Sequence, residues 1–289
     1  MIPSKSSGLL LKIIFLSLSL PAIAASPMDI AVSIPPQAYF VQRIAGNLVK
    51  TIVLVPPGRS PASYAPTPKQ IVALSKAKIY FSIDVPFEKN LIPKIRGISN
   101  NLEIIDSTKG VPKVQGPAGR DMDPHVWLDP SRAAIIAENM EKSLERLLPR
   151  KQNHLQAGLE SLKKDLNRLD KKFKSMFAPF CGSSFFAFHP AFGYFAKAYG
   201  LKQVAVEYKG KEPGGRHLAE LIDRAREEGI KAILVQAEFP TAAASTLAHE
   251  LGARVIYASP LAENYIDNLE RLAVNIRKSL AAKSIRTSK

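Results

Sequence analysis

Apolar residues recur along this chain in two alternating rhythms. Short continuous apolar runs rich in β-branched side chains are separated by stretches whose apolar positions fall three and four residues apart. The first kind reads as strands buried on both faces, the second as helices that cover them. In order, the pattern predicts strands at Ile30–Ile34, Thr51–Val55, Lys78–Ile83 and Leu102–Ile105. Between them it predicts helices from Pro35 to Ala45 and over Gln70–Lys76. The stretch 107–121 reads as a loop, and Ser131–Leu148 as a helix that Pro149 stops. After Pro179 the alternation resumes. Strands are expected at Ser183–Phe188, Val204–Val206, Ala232–Val235 and Arg254–Tyr257, and helices at Ala191–Tyr199, Gly215–Glu228, Thr241–Leu251 and Tyr265–Leu280. Gly200, Gly229 and Gly252 stand where a helix must end before the next strand. Strands alternating with helices call for a parallel sheet with helices on both faces, and the resumption calls for two such units.

Between the two halves lies the clearest helical signal. Leu155, Leu159, Leu162, Leu166, Leu169, Phe173 and Met176 mark one face of a helix from Arg150 to Phe177. At about 1.5 Å per residue it would reach ~42 Å, more than one small domain needs. Such a stripe suits either a coiled-coil dimer seam or a rigid strut covered by two lobes. The α/β pattern on both sides favours the strut. The expected organisation is therefore an N-terminal α/β lobe over 25–148, a linking helix over 149–178 and a C-terminal α/β lobe over 179–289.

Composition adds three constraints. Residues 1–24 have the form of a signal peptide: Lys5 and Lys12, an apolar run over Ile13–Leu20, then Pro21 and the small-x-small site Ala22-Ile23-Ala24. The run is too short for a membrane anchor, so export with cleavage near Ala24 is expected. No later apolar run approaches the ~18 residues a span requires. The single cysteine, Cys181, cannot form an internal disulfide and reads as a small buried hydrophobe before a strand. The net charge of +15 falls to +13 once the two leader lysines go. These charges are spread over helix faces without aromatic interleaving, which argues against nucleic acid as a partner.

Chemistry concentrates in Met122–Pro130, MDPHVWLDP. Two Asp-Pro units pin His125 on a stiff turn beside Trp127, the only tryptophan. A rigid imidazole is a ready metal ligand, although the same turn could cap a helix with His125 merely packed on Trp127. Ligands of open parallel sheets bind beyond the carboxyl ends of the strands. His189 follows the strand Ser183–Phe188 at that position, so one histidine from each half could meet across a cleft. His154, His217 and His249 read as solvated helix residues.

The chain, nearly end to end, resembles the ABC-transporter solute-binding proteins for zinc and manganese. The matching pieces are VLVPPGRSPASYAPTPKQ, DPHVWLDP, FFAFHPAFGYFAKAYGL, EYKGKEP and SPLAENYIDNL, in that order. The resemblance implies two α/β lobes joined by one long helix, with a metal in the cleft and a membrane permease as partner. It also implies a periplasmic, monomeric and non-enzymatic protein without a catalytic cofactor. Of four typical ligand positions, His125 and His189 match the second and third. The first holds Ala62 and the fourth Ser259. Tyr64 is expected to line the cleft with them. The His-rich loop of zinc-specific members is absent from the sequence. Two neutral imidazoles bring no charge against a dication, so a carboxylate is expected from Asp123, Glu207 or Glu238, with Glu207 the first choice. Imidazole suits zinc better than manganese. Two other readings of the scaffold remain: a cleft altered for an anion or a chelated metal, and a metallohydrolase, for which no HExxH or paired-carboxylate motif is found.

Overall fold

The computed structural model describes residues 27–116, 119, 121–207, 211–236, 238 and 242–284. The expected leader, 1–24, lies outside them, as do the last residues of the basic tail.

The first half is built as β1 (Met28–Val32), α1 (Pro35–Ala45), β2 (Val49–Val53), α2 (Pro68–Lys76), β3 (Ile79–Ser82), α3 (Glu88–Arg96) and β4 (Glu103–Asp106). Its four strands are all parallel, in the order β2-β1-β3-β4, with Ile30 paired to Thr51 on one side and to Ile79 on the other. Then come α4 (Pro130–Leu147) and α5 (Gln152–Phe177). The second half repeats the plan with β5 (Ser184–Ala187), α6 (Gly193–Ala198), β6 (Lys202–Ala205), α7 (Gly215–Glu227), β7 (Ala232–Val235), α8 (Ala242–Glu250), β8 (Arg254–Tyr257) and α9 (Tyr265–Ser284). Its order, β6-β5-β7-β8, is also all parallel and topologically the same. The central strands β3, β5 and β7 are buried at every residue, as unbroken apolar runs should be.

Most expected elements are present with shifted ends. β1 and β2 begin and end two residues before the expected runs, yet Leu54 and Val55 still donate to the Val32 and Ser33 carbonyls at 3.0 Å, so Ser33–Ile34 and Leu54–Val55 stay buried past the strand ends. The helix α6 is shorter than the expected Ala191–Tyr199. One helix, α3, had no counterpart in the sequence pattern: Pro93 interrupts it, and Leu91 and Ile95 are its only buried apolar residues. Cys181 corrects an expectation. It is exposed, in the turn before β5, rather than buried.

The helix α5 is the strut. Leu155, Leu159, Leu162, Leu166, Leu169, Phe173 and Phe177 are all buried within this one chain, which leaves the stripe no surface for a coiled-coil seam. It packs against α1 and α4 of the first lobe and against α9, which lies on β5 of the second. One apolar core therefore runs from the first sheet through α5 into the inner side of the second lobe. The outer side, under α7 and α8, has a separate core around Phe186, Val206 and Leu247. The approach of α5 to α1 is closest at Gly158, where an added Cβ would sit 2.5 Å from the Ile44 carbonyl oxygen and 2.7 Å from that of Arg43. Arg43, which bonds Asp165 at 2.8 Å, ties the same two helices at the surface.

In the first lobe the crevice between the carboxyl ends of β1 and β3 is filled by a buried acid. Glu88 accepts hydrogen bonds from the amides of Ile83 at 2.9 Å and Asp84 at 2.8 Å, and from the Ser33 hydroxyl. Ser33 also meets the Tyr80 hydroxyl at 2.7 Å. The carboxylate holds Asp84 in a left-handed conformation, φ +63°, and so sets the turn that carries Val85 and Pro86 toward the cleft. Burial pushes the Glu88 carboxyl from its ordinary 4.5 up to about 7, against the pull of its hydrogen bonds.

An Ala for Gly exchange inside a helix ordinarily stabilises by ~1 kcal/mol. For Gly158→Ala the sign should reverse, with a net loss of about 1–3 kcal/mol in urea unfolding, because the new methyl meets backbone rather than a movable side chain. The raised Glu88 carboxyl makes the folded state hold its proton more tightly than the unfolded one. Its contribution is therefore full below pH 4.5 and is lost as pH rises toward about 7. Glu88→Gln should flatten the stability profile across that window relative to the parent, as read by unfolding at a series of pH values.

Candidate metal centre

Each lobe presents one imidazole, and each imidazole is backed by a buried carboxylate. In the first lobe, Asp123 folds over the turn it begins. Its Oδ1 accepts from the His125 amide at 2.9 Å and lies 2.7 Å from His125 Nδ1. Pro124 between them stiffens the loop. Asp123 is tied to its surroundings through its main chain: its amide donates to the Val114 carbonyl at 2.9 Å, and its carbonyl accepts from the Tyr194 hydroxyl at 2.9 Å. The second Asp-Pro unit starts α4. Asp129, at φ −103° and ψ 115°, accepts from the Ser131 amide at 2.8 Å as an N-cap.

In the second lobe, His189 stands just past β5, beside the carboxyl end of β7. Gln236, the first residue after β7, grips its backbone from both sides: Oε1 accepts from the His189 amide at 3.2 Å and Nε2 donates to the His189 carbonyl at 2.7 Å. Glu207 Oε1 lies 3.0 Å from His189 Nδ1. The two imidazole rings stand 5.3 Å apart, at 71° to each other. In both pairs the carboxylate places the ring proton on Nδ1 and fixes the ring's orientation.

The lobes are stapled beside this pair. Trp127, fully buried, lies 5.3 Å from the His125 ring and donates its indole N–H to the Pro260 carbonyl at 2.8 Å. Tyr265 donates in turn to the Trp127 carbonyl. From the other side Tyr194, on α6, accepts from the Val114 amide at 3.0 Å while donating to Asp123. An added Cβ at Gly193 would stand 3.0 Å from Asp123 Oδ2, so α6 approaches the Asp-Pro turn closely.

The other expected residues fall at different distances from the rings. A cavity of about 370 Å³ is lined by both histidines, Ala62, Asp123 and Glu238. Glu207 does not line it. The carboxylate expected first as a ligand sits behind the His189 ring, on Nδ1. Tyr64 and Ser259, expected to line the cleft, are not on the wall of this cavity. The Tyr64 phenol donates to Gln70 at 2.7 Å and its ring meets Phe87 edge-on, drawing it into the capping box of α2. Ser259 turns its hydroxyl to the Leu261 amide at 3.2 Å, in a neighbouring recess that Glu238 also borders. Burial holds the Glu238 carboxyl above its ordinary range, with nearby His189 pulling it down. Among the described residues no three His, Cys, Asp or Glu side chains stand together closely enough to hold an ion as placed. His154 and His249 are exposed on their helices, and His217 faces Glu220 at 3.5 Å. Sequence reasoning missed Gln236 and Tyr194. The first was signalled by an amide placed directly after a buried strand, whereas nothing local marks Tyr194.

Among known proteins, residues 30–279 match the family described as the periplasmic component A of the zinc-uptake complex. The zinc-binding protein AdcA of Streptococcus pyogenes serotype M1 is 26% identical over 265 residues, covering 83% of this chain but 51% of that protein. The chain thus spans about half the length of that relative. The high-affinity zinc uptake system protein ZnuA of Bacillus subtilis is 26% identical over 277 residues, 86% of each chain. A crystal structure of ZnuA superposes with a TM-score of 0.84 at 35% identity, covering 88% of this chain and 99% of that one.

Proposed function

The chain belongs to the family of periplasmic zinc-uptake component A proteins, and from that membership we propose that it is the exported binding protein of an ABC importer. It captures a divalent metal ion, zinc before manganese, between its two lobes and hands it to a membrane permease. The observation that carries this reading is the pair of carboxylate-backed imidazoles facing each other at 5.3 Å. With the proton of each ring held on Nδ1 by a carboxylate, the ligating nitrogen is Nε2, as in carboxylate–histidine–zinc arrangements. His125 and His189 are the protein's metal nitrogens, Asp123 and Glu207 their orienting partners. Neutral imidazoles favour zinc over the oxygen-preferring manganese.

The lobes, 25–148 and 179–289, act as the two jaws, with 149–178 as the element that sets their spacing. The role is binding and transfer rather than catalysis, with no catalytic cofactor and no nucleic-acid partner. The chain is exported to the periplasm, is cleaved after Ala24, and works as a monomer.

His125→Ala and His189→Ala should each lower zinc affinity by more than the ~10–100-fold expected for Asp123→Asn or Glu207→Gln. Competition against a chromophoric zinc chelator reads both effects. Retention of parental affinity by both alanine variants would refute the ligand assignment. Native mass spectrometry of the periplasmic fraction should show a single-copy species whose sequence begins at Ala25, and a chain retaining residues 1–24 or a stable dimer would count against export processing or the monomer.

A further inference from the structure

The cavity beside the imidazole pair is larger than one ion needs. It measures about 370 Å³, against a share of about 30 Å³ for a water molecule in the liquid. Sites for small organic ligands begin near ~300 Å³. Much of its wall is apolar: Ala62, Val85, Pro86, Pro190 and Leu261 face it and offer no hard donor to a cation. The two imidazoles are its nitrogen donors, and among the described residues no third metal-holding side chain stands with them as placed.

A second observation points to an organic partner. Glu238 borders the same cavity, and its Oε2 is buried without a hydrogen-bond partner among the described residues. A buried acceptor left without a donor is destabilising, and more so when ionised. A ligand carrying an N–H into the cavity would remove that penalty.

We propose, resting on the reading that His125 and His189 hold the metal, that the ion is bound together with a small amino-carboxylate chelator of amino-acid size. Zinc in a four-coordinate site would take two imidazole nitrogens from the protein and one amine nitrogen plus one carboxylate oxygen from the chelator. The zinc-bound amine retains N–H groups, and one of them donates to Glu238 Oε2. The chelator's side chain lies against Ala62, Val85 and Pro86. The chelator's carboxylate offsets one of the ion's two positive charges directly, Glu238 faces the bound amine across the cavity, and the imidazoles remain neutral. Asp123 and Glu207 are already engaged on the rings.

The test measures zinc binding by the mature chain at fixed, buffered free zinc, with and without saturating L-histidine as the chelator, alongside native mass spectrometry. Expected are a rise in zinc affinity of at least about tenfold with L-histidine and a species of protein plus one zinc plus one histidine. Glu238→Ala should reduce the gain. Ala62→His fills the cavity and adds a protein donor, so it should bind zinc well with no gain from L-histidine, which guards against a variant that merely misfolds. Equal zinc affinity with and without L-histidine, and no ternary mass, would overturn the proposal while leaving the histidine site standing. Absence of zinc binding under both conditions would instead overturn the reading on which it rests.

Discussion

The burial of one face of α5 by both lobes is the constraint on which everything else depends. Each of its buried leucines is worth about 1.5–3 kcal/mol when removed from water. That stabilisation is available only if α1 and α4 press on one part of the helix and α9 on another. The two sheets therefore cannot be positioned independently. The backbone contact at Gly158 makes the packing close on the first-lobe side, and the continuous core extends it to the inner side of the second. A 5.3 Å separation between rings carried on different lobes is a consequence of this shared packing, trimmed by the Trp127–Pro260 and Tyr194–Asp123 hydrogen bonds.

The two lobes have the same strand order but use it differently. In the second, the crevice between the central strands holds an imidazole, His189, steadied by Gln236. In the first, the equivalent crevice is occupied by Glu88 with Ser33 and Tyr80, and it shapes a loop rather than meeting a ligand. The first lobe's imidazole comes instead from the turn ahead of α4. The site is thus asymmetric in origin although its two halves look alike in chemistry, each an imidazole on a carboxylate.

Much of the architecture could be read from the sequence, because it rests on local periodicity. The leucine spacing of α5 and the apolar runs of β3, β5 and β7 are burial patterns written directly into the chain. The two histidines were legible for a related reason: one is bracketed by prolines and the other follows a strand. What escaped depends on contacts across long separations or on a single atom's direction. Glu207 could be recognised as an acid near the cleft, but only geometry shows that its carboxylate lies on His189 Nδ1. Tyr194 reaches Asp123 across 71 residues. The helix α3 was hidden by Pro93 and by its two buried apolar residues, too few to show a period. Tyr64 and Ser259 sit in segments matched by resemblance, and local hydrogen bonds engage both side chains, with Gln70 and with the Leu261 amide.

Trp127 has one further consequence. It is the chain's sole indole, it is sealed from solvent, it bonds across the lobe boundary, and its ring centre lies 5.3 Å from that of His125. All tryptophan emission therefore originates at one point, where the two jaws touch and where the imidazole's electronic state is nearest. The molecule carries its own intrinsic light source beside the imidazole pair. A change at either ring, or in the contact between the lobes, should register as a change in colour or brightness without any added dye.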